Sequence, residues 1–331
     1  MEELRFFQTP APHLKSPVSV PKIMFMVVVA LIPATVWGIG FFGPKLTLPP
    51  LIICILSCLF FEWLDCKIFK KPVTIKDGSA LVTGLLLGLS LPPGSPFWIA
   101  IAGGGIAIIL GKQMFGGLGQ NIFNPALVGR AVLLISWPKL MTSWYAKTPF
   151  AFPSIEQGLV AMPQGVDVVT TPTALTLTKE YGFQVLSQFE PRLLWRLFIG
   201  AVPGSIGETS VLLLLIGYFL LLGLGIVKWD VPLFFLIGLS CVALITGQNP
   251  IYHLFAGGTI IGACFMANDY TTSPLSFKGR IIFGFGAGAI TCIIRILGGY
   301  PEGVTFGILV MNAVVPLLDK LLPRRFGVKS S

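Results

Sequence analysis

About ten apolar runs, separated by short polar stretches, dominate the sequence, and most approach the length needed to cross a bilayer as a helix. Such a helix needs about 20 mainly apolar residues. Only 11% of the residues are charged, whereas a soluble domain carries roughly 25%. The chain is therefore predicted to be an all-α integral membrane protein with about ten transmembrane helices. The runs are 24–42, 49–64, 73–91, 97–110, 125–137, 211–227, 231–246, 251–267, 281–297 and 304–318.

The distribution of basic residues predicts the orientation of these helices. If the N-terminus is cytoplasmic, 15 lysines and arginines lie on the inner side, and the short outer turns carry only Lys45. Cytoplasmic loops are enriched in lysine and arginine, and the bias is strongest in short loops. The apolar piece 193–202 is too short to cross and is predicted to lie at the interface. Both termini are thus expected inside, and the long 138–208 segment outside.

The helices divide into two groups of five around the outer segment. Because each half has an odd number of helices, any internal repeat is expected to be inverted. The residues give little support for a repeat, since the Asn-Pro pairs at 124–125 and 249–250 do not occupy matching positions. The predicted units are a cytoplasmic N-terminal segment 1–21, a first half 22–137, an outer loop 138–208, a second half 209–318 and a cytoplasmic tail 319–331.

Several functional classes are disfavoured by the composition. The six cysteines lie in or at the end of apolar runs without CxxC spacing, so neither a disulfide framework nor a metal site built from this chain alone is expected. The net charge is +9, but the basic residues are spread between apolar runs, which argues against a nucleic-acid partner. No nucleophile–base pair, Walker loop or dinucleotide-binding glycine motif is visible. No self-contained catalytic site is predicted.

Polar residues in unusual places are the candidates for function. Arg130 lies inside an apolar run, where a charge is costly unless it is paired or solvated, and it is expected to face a partner or ligand. The glycine- and amide-rich stretch before it contains Asn121 and Asn124, which either face a ligand or belong to a loop that starts a helix. Ser205 and Glu208 fit a helix capping box, although the free amides there could instead hold an anion.

The outer loop contains Asp-Val-Val-Thr-Thr-Pro-Thr-Ala-Leu at 167–175. It resembles the flavinylation motif of the D-type membrane component of the Rnf ion-translocating electron-transport complex. That component is similar to the B-type component of the sodium-translocating NADH:quinone reductase. The family pattern is Asp, two residues, Ser/Thr-Gly-Ala-Thr and a small residue before Leu. In this chain 170–173 reads Thr-Thr-Pro-Thr. Further segments that resemble the family are 77–81, 121–126 with 129–130, 204–210 and 300–303 leading to Asn312.

The resemblance implies a flavin site on the outer loop. FMN would be joined through a phosphoester to Thr173, and Asp167 and Thr170 would shape the loop or be recognised by a flavin transferase. The resemblance also allows a second, non-covalent riboflavin, which the sequence does not place. Further cofactor-binding residues are expected among Arg130, Asn121, Asn124, Glu208 and Thr209.

The function implied by the resemblance is that of a redox subunit in an ion-translocating oxidoreductase complex. It would be a multi-pass protein of the bacterial or archaeal inner membrane. Electrons would pass from a second flavoprotein subunit to the FMN, coupled to movement of Na⁺ or H⁺. The alternative class is a channel or secondary transporter for a small polar solute, which would suit about ten spans, an inverted repeat and glycine-rich breaks. A flavin retained after denaturation would distinguish the two.

The charge distribution generates a test of orientation. Single cysteines introduced at Gln164 and at Ser330 should react with a membrane-impermeant thiol reagent from opposite sides, because the outer segment and the tail are predicted on opposite faces. Labelling in intact cells and in inverted vesicles would measure this, with the unsubstituted chain as control. Labelling of both positions from one side would contradict the orientation.

Overall fold

The computed structural model describes residues 19–146, 169–170, 173–181 and 190–321. These residues are helical apart from loops and one antiparallel ladder, in which β1 (Tyr145–Ala146) pairs with β2 (Val169–Thr170). The helices are α1 Val20–Phe42, α2 Pro44–Ile68, α3 Ser79–Leu89, α4 Phe97–Ile109, α5 Pro125–Ser136, α6 Pro138–Met141, α7 Ala174–Tyr181, α8 Glu190–Ile199, α9 Val211–Gly223, α10 Asp230–Ile245, α11 Pro250–Phe255, α12 Thr259–Ile261, α13 Phe277–Leu297 and α14 Val304–Leu321.

Within the described part of the chain, five helical segments are long and apolar enough to cross a membrane. They are α1, α2, α13, α14 and Phe97–Phe115, which contains α4. Four shorter apolar helices, α3, α5, α9 and α10, accompany them. The prediction of an all-α, multi-pass membrane protein is confirmed. The end at which α1 begins is called the inner end below, and the opposite end the outer end.

The predicted span 251–267 is interrupted rather than continuous. It consists of α11, α12 and a π-helix, Gly262–Met266. Gly257 has a positive φ of 63° between the first two pieces, which glycine adopts without a steric penalty. The Arg295 guanidinium of α13 donates to the Ala256 carbonyl at 2.9 Å and to Thr259 Oγ1 at 2.8 Å. A charged group from another helix therefore binds the backbone exposed by the break.

The start of α3 also differs from the sequence prediction, which included Lys76 and Asp77 in the helix. Both lie in a 3₁₀ turn, Ile75–Asp77, and Gly78 follows with φ 78°. The Asp77 carboxylate accepts from the Ser79 amide at 2.8 Å. The helix begins after the turn because this carboxylate binds one of the backbone amides left without a partner at the helix start.

The outer segment packs onto the second half through two short helices. In α8, Leu193 and Leu197 are buried while Trp195 is exposed, which gives the one-sided pattern expected of a helix at an interface. In α7, Lys179 Nζ donates to the Tyr300 carbonyl at 2.8 Å and also to the Gly298 carbonyl. The residue before α7 is therefore held near the loop between α13 and α14.

The two halves share one packing scheme. In the first half α4 packs along α2 and α5; in the second half α13 packs along α10 and α14, which hold the corresponding positions. The first helices of the halves, α1 and α9, pack against each other. Five crossings in each half, as the sequence predicts, would make corresponding helices run in opposite directions, as an inverted repeat requires.

The α1–α9 contact predicts the effect of adding one methyl group. A Cβ at Gly217 would overlap the Ala30 carbonyl oxygen, whereas one at Gly223 would have no atom within 4 Å. Gly217→Ala should therefore lower the free energy of unfolding by about 1–3 kcal/mol through overpacking. Gly223→Ala on the same helix is the matched control. Thermal unfolding in detergent measures both, and equal midpoints would contradict the contact.

Candidate functional site

Arg130 is buried between the two halves and paired with two carboxylates. Asn124 caps α5 by accepting from the Ala126 amide at 3.1 Å, which places Arg130 near the middle of that helix. The Arg130 side chain is 5% exposed. Its Nη1 donates to Glu208 Oε1 at 2.5 Å, and its Nη2 donates to Glu302 Oε2. The expectation that Arg130 faces a partner is thus met by protein groups.

Glu208 has a different role from the one predicted. It does not cap a helix with Ser205, because α9 begins at Val211 and its cap is Ser210, which accepts from the Leu213 amide at 3.4 Å. Instead, the Ser205 hydroxyl donates to Glu208 Oε2 at 2.8 Å. The capping-box prediction was wrong because the carboxylate neutralises a buried arginine, an interaction that local sequence spacing does not encode.

Glu302 connects the same arginine to the second half. It comes from the loop between α13 and α14, and its Oε1 accepts from the Gly258 amide at 2.9 Å. Arg130, Glu208 and Glu302 therefore join α5, the stretch before α9 and the interrupted span. Two buried carboxylates without their arginine would be strongly destabilising. The Arg130 cluster, meaning Arg130 with Glu208 and Glu302, is a fixed point between the halves.

Thr173 lies beside this cluster. It directly precedes α7, and its Oγ1 accepts from the Thr176 amide at 3.2 Å, so Thr173 caps that helix. Thr173, Glu208, Thr209 and Glu302 line one small pocket, called the outer pocket here. Thr209 is 2% exposed, and its hydroxyl has no hydrogen-bond partner among the described residues. A buried hydroxyl without a partner fits a ligand that offers an acceptor.

The asparagines lie elsewhere. Asn121 and Asn124 line a larger cavity at the inner end, between α1, α3 and the π-helix. Asn124 Nδ2 donates to the Met266 carbonyl at 3.1 Å, and Asn121 Nδ2 donates to Thr271 Oγ1 at 3.2 Å. Both amides therefore bind protein groups while they line the cavity. They connect the first half to the second.

The inner cavity also has a charged wall that the sequence analysis missed. Lys112 Nζ donates to Glu62 Oε1 at 2.8 Å and to Ser79 Oγ at 2.5 Å. The Glu62 and Lys112 side chains are 0% and 1% exposed. Glu62 lies inside an apolar run, as Arg130 does, so the argument applied to Arg130 could have identified it.

Acidic and phenolic groups also line the inner cavity. Burial raises the pKa of the Asp269 carboxyl above its ordinary value, while hydrogen bonds from Thr271 act in the opposite direction. Burial, with the nearby Asp269 and Asp77 carboxylates, raises the pKa of Tyr270 to about 12. Asp269 and Tyr270 both line the cavity. This end therefore presents polar groups to any ligand.

The predicted site residues thus fall into two places. Thr173, Arg130, Glu208 and Thr209 come together at the outer pocket and its cluster. Asn121 and Asn124 belong to the inner cavity. Thr170 lies in β2, where it pairs with Tyr145. Asp167 lies outside the described residues.

Comparison with known proteins identifies the family of this chain. A family model described as the NQR2, RnfD, RnfE family matches residues 7–327. The chain belongs to this family. The D-type component of the proton-translocating ferredoxin:NAD(+) oxidoreductase complex of Clostridium ljungdahlii is 43% identical over 96% of this chain and 95% of its own length.

Two further relatives give the same result. The D-type component of the Na(+)-translocating ferredoxin:NAD(+) oxidoreductase complex of Acetobacterium woodii is 43% identical over 99% of this chain and 97% of its own length. The D-type component of the ion-translocating oxidoreductase complex of Stutzerimonas stutzeri is 39% identical over 93% of this chain and 92% of its own length. This family member is thus similar to its relatives over nearly its full length.

The Arg130 cluster generates a stability prediction. Arg130→Leu should lower the free energy of unfolding by about 3–5 kcal/mol, because it leaves two buried carboxylates without their partner. Adding Glu208→Gln and Glu302→Gln should restore part of the loss by removing those charges. Thermal unfolding in detergent measures each variant, with Lys139→Leu at an exposed position of α6 as control. An Arg130→Leu protein as stable as the parent would contradict the pairing.

Proposed function

We propose that this protein is the flavin-carrying membrane subunit of a complex that couples electron transfer to Na⁺ or H⁺ translocation. Two of the relatives named above are subunits of ferredoxin:NAD(+) oxidoreductase complexes. The flavin supplies the electron chemistry when bound, while the protein positions it and sets its electrostatic surroundings. The observation that carries the proposal is Thr173, in register with the flavinylation motif and beside a pocket with an unpartnered hydroxyl.

The position of Thr173 suits a phosphoester. Thr173 caps α7, an eight-residue helix, so a phosphate on its oxygen would lie at the helix N-terminus. Helix N-termini favour phosphate, because the free amides and the helix dipole are both directed toward it. Thr170 and Asp167 precede the anchor, where they would shape the loop or be recognised by a flavin transferase. Arg130 and Glu208 would act indirectly, by fixing the positions of residues that line the pocket.

We propose the inner cavity as the site of a second, non-covalent flavin. Its walls combine apolar side chains, including Val27, Leu86 and Phe265, with polar groups such as Asn121 and Thr271. Small-molecule sites typically have mostly apolar walls and a few fixed polar groups. Riboflavin has a flat ring with one apolar and one polar end, and it carries a hydroxylated chain. It therefore matches that composition.

Electron and ion transfer would need further subunits of the complex. A second flavoprotein subunit would pass electrons to the FMN at Thr173. The relative named as proton-translocating and the relative named as Na(+)-translocating are both 43% identical to this chain, so overall identity does not select the ion. The repeated packing of the two halves and the break at Gly257 would suit the channel or transporter alternative as well, so the flavin itself is the discriminating observation.

The covalent flavin provides the test. Thr173→Ala should abolish a fluorescent flavin band on a denaturing gel, because the esterified hydroxyl is removed. Thr176→Ala should leave the band, since Thr176 offers a hydroxyl only 2.9 Å from that of Thr173 but outside the motif position. Mass spectrometry should find one FMN on the peptide that contains Thr173.

The outcomes separate the hypotheses. A band that persists in Thr173→Ala would place the anchor elsewhere. A colourless parent protein, made together with its flavin transferase, would favour the channel or transporter alternative. Flavin released from Thr173→Ala on denaturation reports the non-covalent site independently of the covalent one.

A further inference from the structure

Trp144 has a buried donor without a partner. It lies between α6 and β1, its side chain is 6% exposed, and no group among the described residues accepts from Nε1. A buried tryptophan N–H usually finds an acceptor, and a buried donor without one costs about 1–3 kcal/mol. Such a group points to a ligand that completes the bond.

Trp144 lines the outer pocket together with Thr173 and Thr209. Two donors therefore line one pocket: the Trp144 indole near the start of the outer segment and the Thr209 hydroxyl directly after its end. Both lack partners among the described residues. The described residues around the pocket offer neither donor an acceptor. Their meeting beside Thr173 indicates one ligand that offers two acceptors.

We infer that Trp144 and Thr209 donate hydrogen bonds to the ring system of the flavin attached at Thr173; this inference rests on the proposed function. The ring carries neutral acceptors, its carbonyl oxygens and ring nitrogens. The phosphate of the cofactor suits this pocket less well than the ring does. The Glu208 and Glu302 carboxylates line the pocket and repel another negative charge.

The apolar residues that line the pocket also suit the edge of the flavin ring. Leu175, Leu197 and Phe255 line the pocket, and they offer the apolar surface against which a flat aromatic system packs. The phosphate, joined to Thr173 Oγ1, then stays at the N-terminus of α7 while the ring edge enters the pocket. Trp144 and Thr209 thus become cofactor-binding residues with a defined chemical role.

The two donors would set how easily the flavin is reduced. Reduction places additional electron density on the ring, and fixed hydrogen-bond donors stabilise developing negative charge. Removing one neutral hydrogen bond should therefore lower the equilibrium constant for reduction by a fixed donor, roughly threefold to tenfold. Covalent attachment at Thr173 should be retained.

The experiment compares Trp144→Phe and Thr209→Val with the parent, using the full chain purified in detergent after expression with its flavin transferase. Trp144→Phe keeps an aromatic ring and removes the N–H, and Thr209→Val keeps the shape and removes the hydroxyl. Trp137→Phe is the matched control, because Trp137 is 38% exposed and does not line the pocket. The measurements are in-gel flavin fluorescence, the absorption spectrum and a redox titration.

The expected result is an intact fluorescent band, a shifted spectrum and weaker reduction in both pocket variants, with no change in Trp137→Phe. An intact band with parental spectrum and titration in both variants would overturn the inference. Should Trp144→Phe fail to fold, Thr209→Val decides alone by the same criteria. Failure of the proposed function looks different, because the parent itself would then lack the covalent band.

Discussion

A guanidinium buried inside a membrane protein must be neutralised, and this constraint organises the centre of the molecule. Arg130 comes from the first half, Glu208 from the stretch before α9, and Glu302 from the loop before α14. Each carboxylate has a second partner, the Ser205 hydroxyl or the Gly258 amide. Buried ion pairs repay their desolvation only when the remaining polar atoms are also satisfied. The Arg130 cluster therefore fixes the two halves relative to each other. It also fixes the side of the outer pocket that Glu208 and Glu302 form next to Thr173.

Each half repeats a second use of a buried cation. Lys112 follows α4 and donates to Ser79 at the start of α3. Arg295, near the end of α13, donates to Thr259 within the interrupted span. In each half, a cation in or directly after the fourth membrane element thus donates to a hydroxyl of the third element. The two contacts lie at opposite ends of the molecule. The third elements are α3, which is short, and the interrupted span, so their exposed backbone needs such a partner. The two halves thus share this pairing of a cation with a hydroxyl as well as their packing scheme.

The membrane class, most of the helix positions and the need of Arg130 for a partner could all be predicted from the sequence. These depend on local hydropathy and on the cost of a charge in lipid, both of which a single segment reveals. The break at Gly257, the role of Glu208 and the choice of Lys112 as the partner of Glu62 could not be predicted, because each depends on a residue far away in the chain. Glu62 alone could have been identified from its place in an apolar run. Ser205 and Glu208 have the spacing of a helix cap, yet a distant arginine determines what Glu208 binds. Trp144 carried no local pattern at all, and only its position beside Thr173 distinguishes it.

The difference between the outer pocket and the inner cavity suggests why one flavin would be attached covalently and the other would not. The outer pocket is small and is formed by short segments, α7 and the stretch around Trp144, so it can bury only part of a flavin. Binding there would be weak, and a covalent bond to Thr173 would keep the cofactor in place regardless of affinity. The inner cavity lies between whole helices of both halves and is lined by many apolar side chains. Burial of a ring in such a cavity can supply the affinity itself, so no covalent bond would be required. The mode of attachment in the proposed function thus follows from how much protein surrounds each place.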